Sequence, residues 1–202
     1  MINKTRLYIV RHGQSEFNLK HILQGQLNSK LSELGVNQAY QVKKYLKRIN
    51  FDVAYSSDLD RAYKTGQIIL EDRGMKIHKS KDLRERDYGS LDGMSTKEFR
   101  AKGYFTGDIS AFGGESERDL AKRSIKEFTR IAEKEKGKKV LITTHETMIM
   151  YLLKQIDPEG LKEYRDGDKL VANCSTTVLD YKDGKFKIVK MAYADYMKNA
   201  TL

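Results

Sequence analysis

The sequence predicts an α/β protein, a three-layer α/β/α sandwich around a mostly parallel central sheet. Short apolar runs alternate along the chain with stretches of helical periodicity, the pattern that strand–helix crossovers impose. Neither a linker nor an internal repeat interrupts the alternation. With 202 residues, 39% apolar and 33% charged types, the chain fits one ordinary domain with a sizeable core rather than a disordered chain.

The elements follow in order. Thr5 to Arg11 reads as a buried strand. A helix from about Ser32 to Ile49 places Ala39, Val42, Leu46 and Ile49 on one stripe. Asp52 to Ser56 is a second strand, and Leu59 to Asp72 a helix that stops at Gly74. Met75 to Lys79 is a short strand. From 82 to 114 glycines recur and the pattern breaks, which predicts an irregular, lid-like excursion with one short helix near Thr96 to Lys102. Ser116-Glu117-Arg118-Asp119 has the form of a capping box opening a helix to about Lys136, which buries Leu120, Ile125, Phe128 and Ala132. Lys139 to Thr144 is a strand and Thr147 to Gln155 a helix. Pro158 fits the first turn of another short helix, and Asn173 to Ala192 a hairpin turning at Asp183-Gly184.

Lys and Arg number 38 against 28 Asp and Glu, a formal charge of +10, so an anionic ligand is expected. Most of the lysine excess, as in Lys43-Lys44 and Lys134 to Lys139, falls on helix exteriors and reads as solvated surface. No nucleic-acid motif, membrane span or amphipathic anchor is present, so neither nucleic acid nor membrane is expected as a partner. A single cysteine, Cys174, excludes an intramolecular disulfide and a multi-cysteine zinc site; it reads as a small buried residue on a strand. The expected protein is cytoplasmic. No oligomer is predicted.

Two strands end alike. Leu7 to Val10 runs into Arg11-His12-Gly13, and Val140 to Ile142 into Thr143-Thr144-His145. In an open parallel sheet the ligand crevice lies beyond the carboxyl ends of the strands, so both imidazoles would face it, able to act as nucleophile, acid or base. A metal role lacks a third ligand at a recognisable spacing. His21 and His78 have nothing converging on them and read as structural. Arg61 falls in the first turn of a helix, the wrong end for a cation. An anion held between its guanidinium and the backbone amides explains it better than a salt bridge to Asp58 or Asp60. With Arg11, these residues outline a phosphate pocket.

The motifs bear this out. Arg11-His12-Gly13-Gln14-Ser15 with Asn18, Gln24-Gly25, Leu31-Ser32-x-x-Gly35, Ser56-Ser57-Asp58-Leu59-x-Arg61-Ala62 with Thr65, Leu83-x-Glu85 with Gly89 and Gly93, Gly113-Gly114-Glu115-Ser116, and Thr144-His145 follow one another in order. Arg-His-Gly alone is weak; seven blocks in series are not. The chain resembles the histidine phosphatase superfamily, which includes the cofactor-dependent phosphoglycerate mutases, and the resemblance spans most of it. It implies a phosphoglycerate mutase-like fold, a small phosphorylated substrate and no metal or cofactor. His12 would attack phosphorus and become phosphohistidine. Arg11, Arg61 and His145 would surround the phosphoryl oxygens. Glu85 would protonate the leaving oxygen and later deprotonate water, the plain alternative being a salt bridge to Arg84 or Arg86. Asn18, Gln24, Gly25 and Tyr88 would line the substrate side.

One residue departs from the pattern, because the family usually has glycine where this chain has Glu146. Pointing inward, its carboxylate repels phosphate by about 4 kcal/mol at 4 Å and an effective dielectric of 20, or meets a cationic group on the ligand. Pointing outward, it is an acidic residue at a helix N-terminus. Only 60 positions separate Glu85 from His145, without paired arginines, whereas the family's mutases carry a longer basic insertion there. The leading expectation is therefore a metal-independent phosphomonoesterase. The alternatives are mutase-type phosphoryl transfer, or a phosphate- or phosphoprotein-binding module weakened in catalysis by Glu146.

Overall fold

Leu7 and Ile9 point to one side of their strand, Tyr8 and Val10 to the other, and all four are buried. A strand with both faces covered needs helices above and below it, and that requirement organises the molecule. The computed structural model describes residues 4–104, 108–166 and 171–197. Strands β1 (Thr5–Arg11), β2 (Val53–Ser57), β3 (Ile77–Ser80), β4 (Lys139–Thr144), β5 (Thr176–Lys182) and β6 (Lys185–Tyr193) form one sheet in the order β3-β2-β4-β1-β5-β6. The first four in that order run parallel, and β5 and β6 close the other edge as an antiparallel hairpin turning at Asp183 and Gly184.

Helices α1 (Glu16–Leu19), α2 (Glu33–Tyr45), α3 (Asp60–Leu70), α4 (Thr96–Ala101), α5 (Glu117–Lys134), α6 (Glu146–Ile156) and α7 (Pro158–Asp166) complete the regular structure. Ala39 and Val42 of α2 with Ile68, Ile69 and Leu70 of α3 cover the face of Tyr8 and Val10. Leu120, Phe128 and Ile131 of α5 with Met148, Ile149 and Leu152 of α6 cover the face of Leu7 and Ile9. This is the expected three-layer arrangement. Among the described residues no helix is long and apolar enough to cross a membrane.

Some boundaries differ from the sequence reading, for identifiable reasons. Helix α2 stops at Tyr45 instead of Ile49, because Arg73 reaches across to the Ile49 carbonyl and, at 2.9 Å, the Leu46 carbonyl. Ser116 caps α5 by accepting from the Asp119 amide, but Asp119 returns its carboxylate to the Ser116 hydroxyl and not to its amide, so the box is half made. Ile125 on that helix is only partly buried, while Ser124 and Glu127 are buried. Cys174 lies in a turn ahead of β5, not on a strand. Its amide donates to the Arg11 and His12 carbonyls, which holds it at φ +58° with the thiol fully buried.

Residues 82–114 are irregular, as expected, with short 3-10 turns and α4. Tyr88, Leu91, Phe99 and Ile109 give the segment a small core of its own. Amide–carbonyl bonds between Leu23 and Met94, Gly93 and Leu23, and Thr96 and His21 tie it to the loop after α1. It thereby walls one side of the cleft above the strand ends. Residues 105–107, within the stretch read as a lid, lie outside the described residues.

The loop that carries His12 is pressed against the first turn of α2. A Cβ on Gly35 would stand 1.9 Å from the Gln14 carbonyl oxygen, and one on Gly13 would stand 2.4 Å from the Gly35 carbonyl oxygen. Helix propensity alone favours alanine over glycine by about 1 kcal/mol, yet this clash is with backbone and cannot rotate away. Gly35→Ala is therefore expected to destabilise by about 1–3 kcal/mol, lowering Tm by about 2–10 °C, and to reduce turnover. A Tm at or above that of the parent in a thermal melt would contradict the close approach.

Candidate active site

Register brings the two histidines together. Arg11 pairs with Thr144 across β1 and β4, and the His12 amide donates to the Thr144 carbonyl at 2.9 Å. The residues next after each strand then rise side by side, with ring centroids 5.2 Å apart. β2 flanks β4 on its other side and leads into α3, so Arg61 arrives at the same end of the sheet. Glu85 and Tyr88 come from the irregular segment, and Glu146 opens α6 directly after His145.

His12 is 2% exposed. Its Nδ1 lies 2.7 Å from the Gly13 carbonyl oxygen. A carbonyl only accepts, so the ring proton sits on Nδ1 and Nε2 keeps the lone pair. Burial pushes the imidazole well below its ordinary pKa of 6.5, and the charges of Arg61 and Arg11 push it further. His145 is shifted the same way, by burial first and then by Arg61. Its Nε2 is 2.9 Å from Ser57 Oγ, which itself accepts from the Leu59 amide. With Ser57 as donor to Nε2 the His145 proton lies on Nδ1, a buried atom without a partner.

Arg61 is wholly buried, yet it makes no ion pair among the described residues. Asp58, its first alternative partner, is taken by Arg84 at 2.7 Å. Arg61 instead donates Nη1 to the Leu27 carbonyl and Nη2 to the Gly25 carbonyl, both at 2.8 Å, leaving Nε buried and without a partner. Burial brings its pKa down to about 10, so it stays charged at neutral pH. Arg11 Nη1 donates to the Val171 carbonyl at 2.6 Å and meets Glu146 Oε2 at 2.7 Å, while its Nε is another buried donor without a partner. Three buried nitrogens around His12, Arg11 Nε, Arg61 Nε and His145 Nδ1, are therefore without a hydrogen-bond partner.

Glu85, 8% exposed, pairs with neither Arg84 nor Arg86. Its oxygens accept from the Arg86 amide at 2.8 Å and the Thr147 amide at 3.3 Å. Burial raises its pKa, against the pull of those amides and of Arg61. The cleft, of about 820 Å³, is lined by Arg11, His12, Asn18, Gln24, Gly25, Arg61, Glu85, Tyr88 and Glu146. His145 is not on its wall but stands buried beside His12. Gly25 contributes a left-handed turn at φ +45°, which glycine adopts freely, and the carbonyl that holds Arg61. His21 and His78 lie off the cleft: His78 on β3 sets its ring 5.2 Å from that of Tyr55, and the His21 carbonyl accepts from the Thr96 amide.

Glu146 points inward, at Arg11, with 29% of its side chain exposed. Sequence reasoning also missed several contributors. Thr147 supplies an amide to Glu85 and lies 3.2 Å from the Tyr88 hydroxyl; its place in the first turn after His145 was the signal. The Val171 carbonyl, which orients Arg11, left none. Arg86 is buried on the wall with Nη2 lacking a partner. Asp92 Oδ2 accepts from the Gln26 amide at 3.0 Å and braces the loop that holds Arg61. Phe99, Met150, Tyr151 and Leu161 give the cleft an apolar side.

Comparison with known proteins gives the chain its family. The chain is 35% identical over 176 residues to a 2,3-bisphosphoglycerate-dependent phosphoglycerate mutase of Azorhizobium caulinodans, covering 77% of this chain and 84% of the relative. In structure it is similar to a phosphoglycerate mutase from Bacillus anthracis str. Sterne, with a TM-score of 0.84, 28% identity, and 98% and 97% of the two chains covered. A mycobacterial glucosyl-3-phosphoglycerate phosphatase in complex with VO3 aligns with a TM-score of 0.78 at 27% identity, over 94% of this chain and 99% of the other. Residues 7–194 match the histidine phosphatase superfamily (branch 1), and the chain belongs to that family.

Proposed function

We propose that the protein hydrolyses phosphomonoesters of small molecules in the cytoplasm, without a metal, through a phosphohistidine on His12. The observation that carries this reading is the set of buried donors without partners, Arg11 Nε, Arg61 Nε and His145 Nδ1, around an imidazole whose Nε2 lone pair is free. A phosphoryl group satisfies all of them at once.

In the first step Nε2 of His12 attacks phosphorus and the ester P–O bond breaks. Glu85 gives its proton to the departing oxygen. In the second step water attacks the phosphorus of phosphohistidine and the N–P bond breaks. The Glu85 carboxylate takes the proton of the water, and inorganic phosphate leaves. Arg11, Arg61 and His145 hold the three equatorial oxygens through both displacements, from positions fixed before substrate arrives. Burial drives the His12 and Glu85 pKa values in opposite directions. That lets a neutral imidazole and a protonated carboxyl coexist, as the first step demands.

The cleft supports hydrolysis over transfer. At about 820 Å³ it lies in the range of sites that enclose ligands much larger than a three-carbon phosphate, and that room admits water. The second reading, phosphoglycerate mutase-type transfer, draws on the naming of the similar proteins from Azorhizobium and Bacillus. The deciding assay measures phosphate release, with chelator present, from a panel that includes 3-phosphoglycerate and glucosyl-3-phosphoglycerate. Hydrolysis predicts free phosphate as the product and a loss of about 10⁴-fold or more in His12→Ala. Interconversion of phosphoglycerates that depends on a bisphosphorylated primer, without phosphate release, would replace it with the mutase reading.

The acid role of Glu85 has its own signature. In Glu85→Gln, kcat/KM for alkyl phosphates, which reports the first step alone, should fall by about 10²–10⁴. p-Nitrophenyl phosphate, whose phenolate leaves without a proton, should lose far less. His12 reacts in its neutral form and its pKa is lowered, so kcat/KM should hold its plateau on the acid side of the ordinary histidine value of 6.5. It should decline on the alkaline side as Glu85 loses its proton, above the ordinary carboxylate value of 4.5. Glu85→Gln should remove that alkaline decline; equal losses for both ester types with the decline intact would refute the assignment.

A further inference from the structure

We propose that Glu146 makes the site selective for the charge beside the phosphoryl group, so that its preferred esters carry an ammonium group on the leaving-group side. This rests on the phosphoryl site described above. The Glu146 carboxylate does not plug that site. Arg11 Nη1 donates to the Val171 carbonyl at 2.6 Å and forms an ion pair with Glu146 Oε2 at 2.7 Å, so both partners crowd this one nitrogen. The other edge of the guanidinium, with the buried Nε that lacks a partner, remains open for an anion. Glu146 therefore sits at the flank of the phosphoryl position and not in it. The carboxylate, with Oε1 as its second oxygen, belongs to a side chain on the cleft wall that is 29% exposed.

The fixed charges around the phosphoryl position show what that oxygen faces. Burial keeps His12 and His145 neutral and holds Glu85 toward its neutral form. Arg11 and Arg61 then contribute two positive charges and Glu146 one negative, against a phosphoryl dianion. With glycine after His145 the dianion would be balanced; with Glu146 the inner site falls short by one positive charge, and an ammonium on the substrate supplies it. Other cations of the cleft are placed differently. Arg86 donates Nε to the Glu115 carbonyl at 2.9 Å, lies 5.5 Å from the centre of the Tyr88 ring and keeps Nη2 buried without a partner on the cleft wall. Arg100, Lys154 and Lys162 are exposed, where water screens them. A carboxylate on the leaving group, at the same distance from phosphorus, meets Glu146 as a like charge.

The test uses three esters of similar size, 2-aminoethyl phosphate, propyl phosphate and phosphoglycolate, which differ in the charge borne beyond the ester oxygen. Their Kd values are measured by calorimetry on His12→Ala protein, which cannot turn them over, with and without Glu146→Gln. A charge-assisted contact is worth about 10-fold or more. The expected order is ammonium tighter than neutral, and neutral tighter than carboxylate, by about 10-fold at each step, with Glu146→Gln collapsing the series to within about 3-fold. Glu146→Gly gives the same readout should the glutamine variant fail to fold. A ratio unchanged by either substitution, three Kd values that move together, or no binding of any ester overturns the proposal. The hydrolase reading is scored separately, by phosphate release from p-nitrophenyl phosphate with the parent protein. A charge series without release leaves selectivity standing and removes hydrolysis.

Discussion

Arg61 brings a full positive charge to a place that water does not reach, and most of the site is arranged around that cost. Leaving a buried guanidinium without a counter-ion is expensive, by several kcal/mol on general grounds. Two backbone carbonyls, from Gly25 and Leu27, offset part of it. To present them, the loop bends through a left-handed glycine, and its Gln24 accepts hydroxyl bonds from Ser15 and Ser29 at 2.7 Å each. Asp92 stands immediately behind, so close that a Cβ on Gly25 would meet it at 1.8 Å. The carbonyls leave Nε buried and unsatisfied.

The same charge sets the protonation of its neighbours. It lowers both histidines and restrains the upward shift of Glu85. Burial acts on all three groups as the larger influence, and it favours the neutral form of each. Neutral imidazoles and a carboxylic acid therefore become compatible at one pH from a single cause, exclusion of water. Glu146 belongs to this balance. Its carboxylate engages one nitrogen of Arg11 and leaves the opposite edge open, so its presence redirects the electrostatics of the pocket without closing it.

Much of this was legible in the sequence, because strand ends in a parallel sheet are read from local patterns. Leu7 to Val10 and Val140 to Ile142 fixed the two strands, and the residues at their carboxyl ends could only stand at the crevice. Arg61 announced itself by sitting at the wrong end of a helix. The features that stayed hidden depend on contacts distant in sequence. The direction of Glu146 is decided by Arg11, 135 positions away. Arg11 is itself oriented by the Val171 carbonyl, and a carbonyl carries no residue-type signal. The early end of α2 is set by Arg73, whose reach to the Leu46 and Ile49 carbonyls no periodicity encodes. Cys174 looked like a strand residue because its neighbours are; its φ is set by two carbonyls on β1 and the loop after it.

The central claim is that His12 Nε2 carries the phosphoryl group between two displacements. The most direct measurement mixes the protein with a labelled phosphomonoester, quenches it in alkali within the first turnover, and maps the modified peptide. The account predicts phosphate attached to His12 through Nε2, stable in alkali and labile in acid, with up to one group per chain. No label on His12 while phosphate is released at the normal rate would contradict it, and would give the attack to water directly.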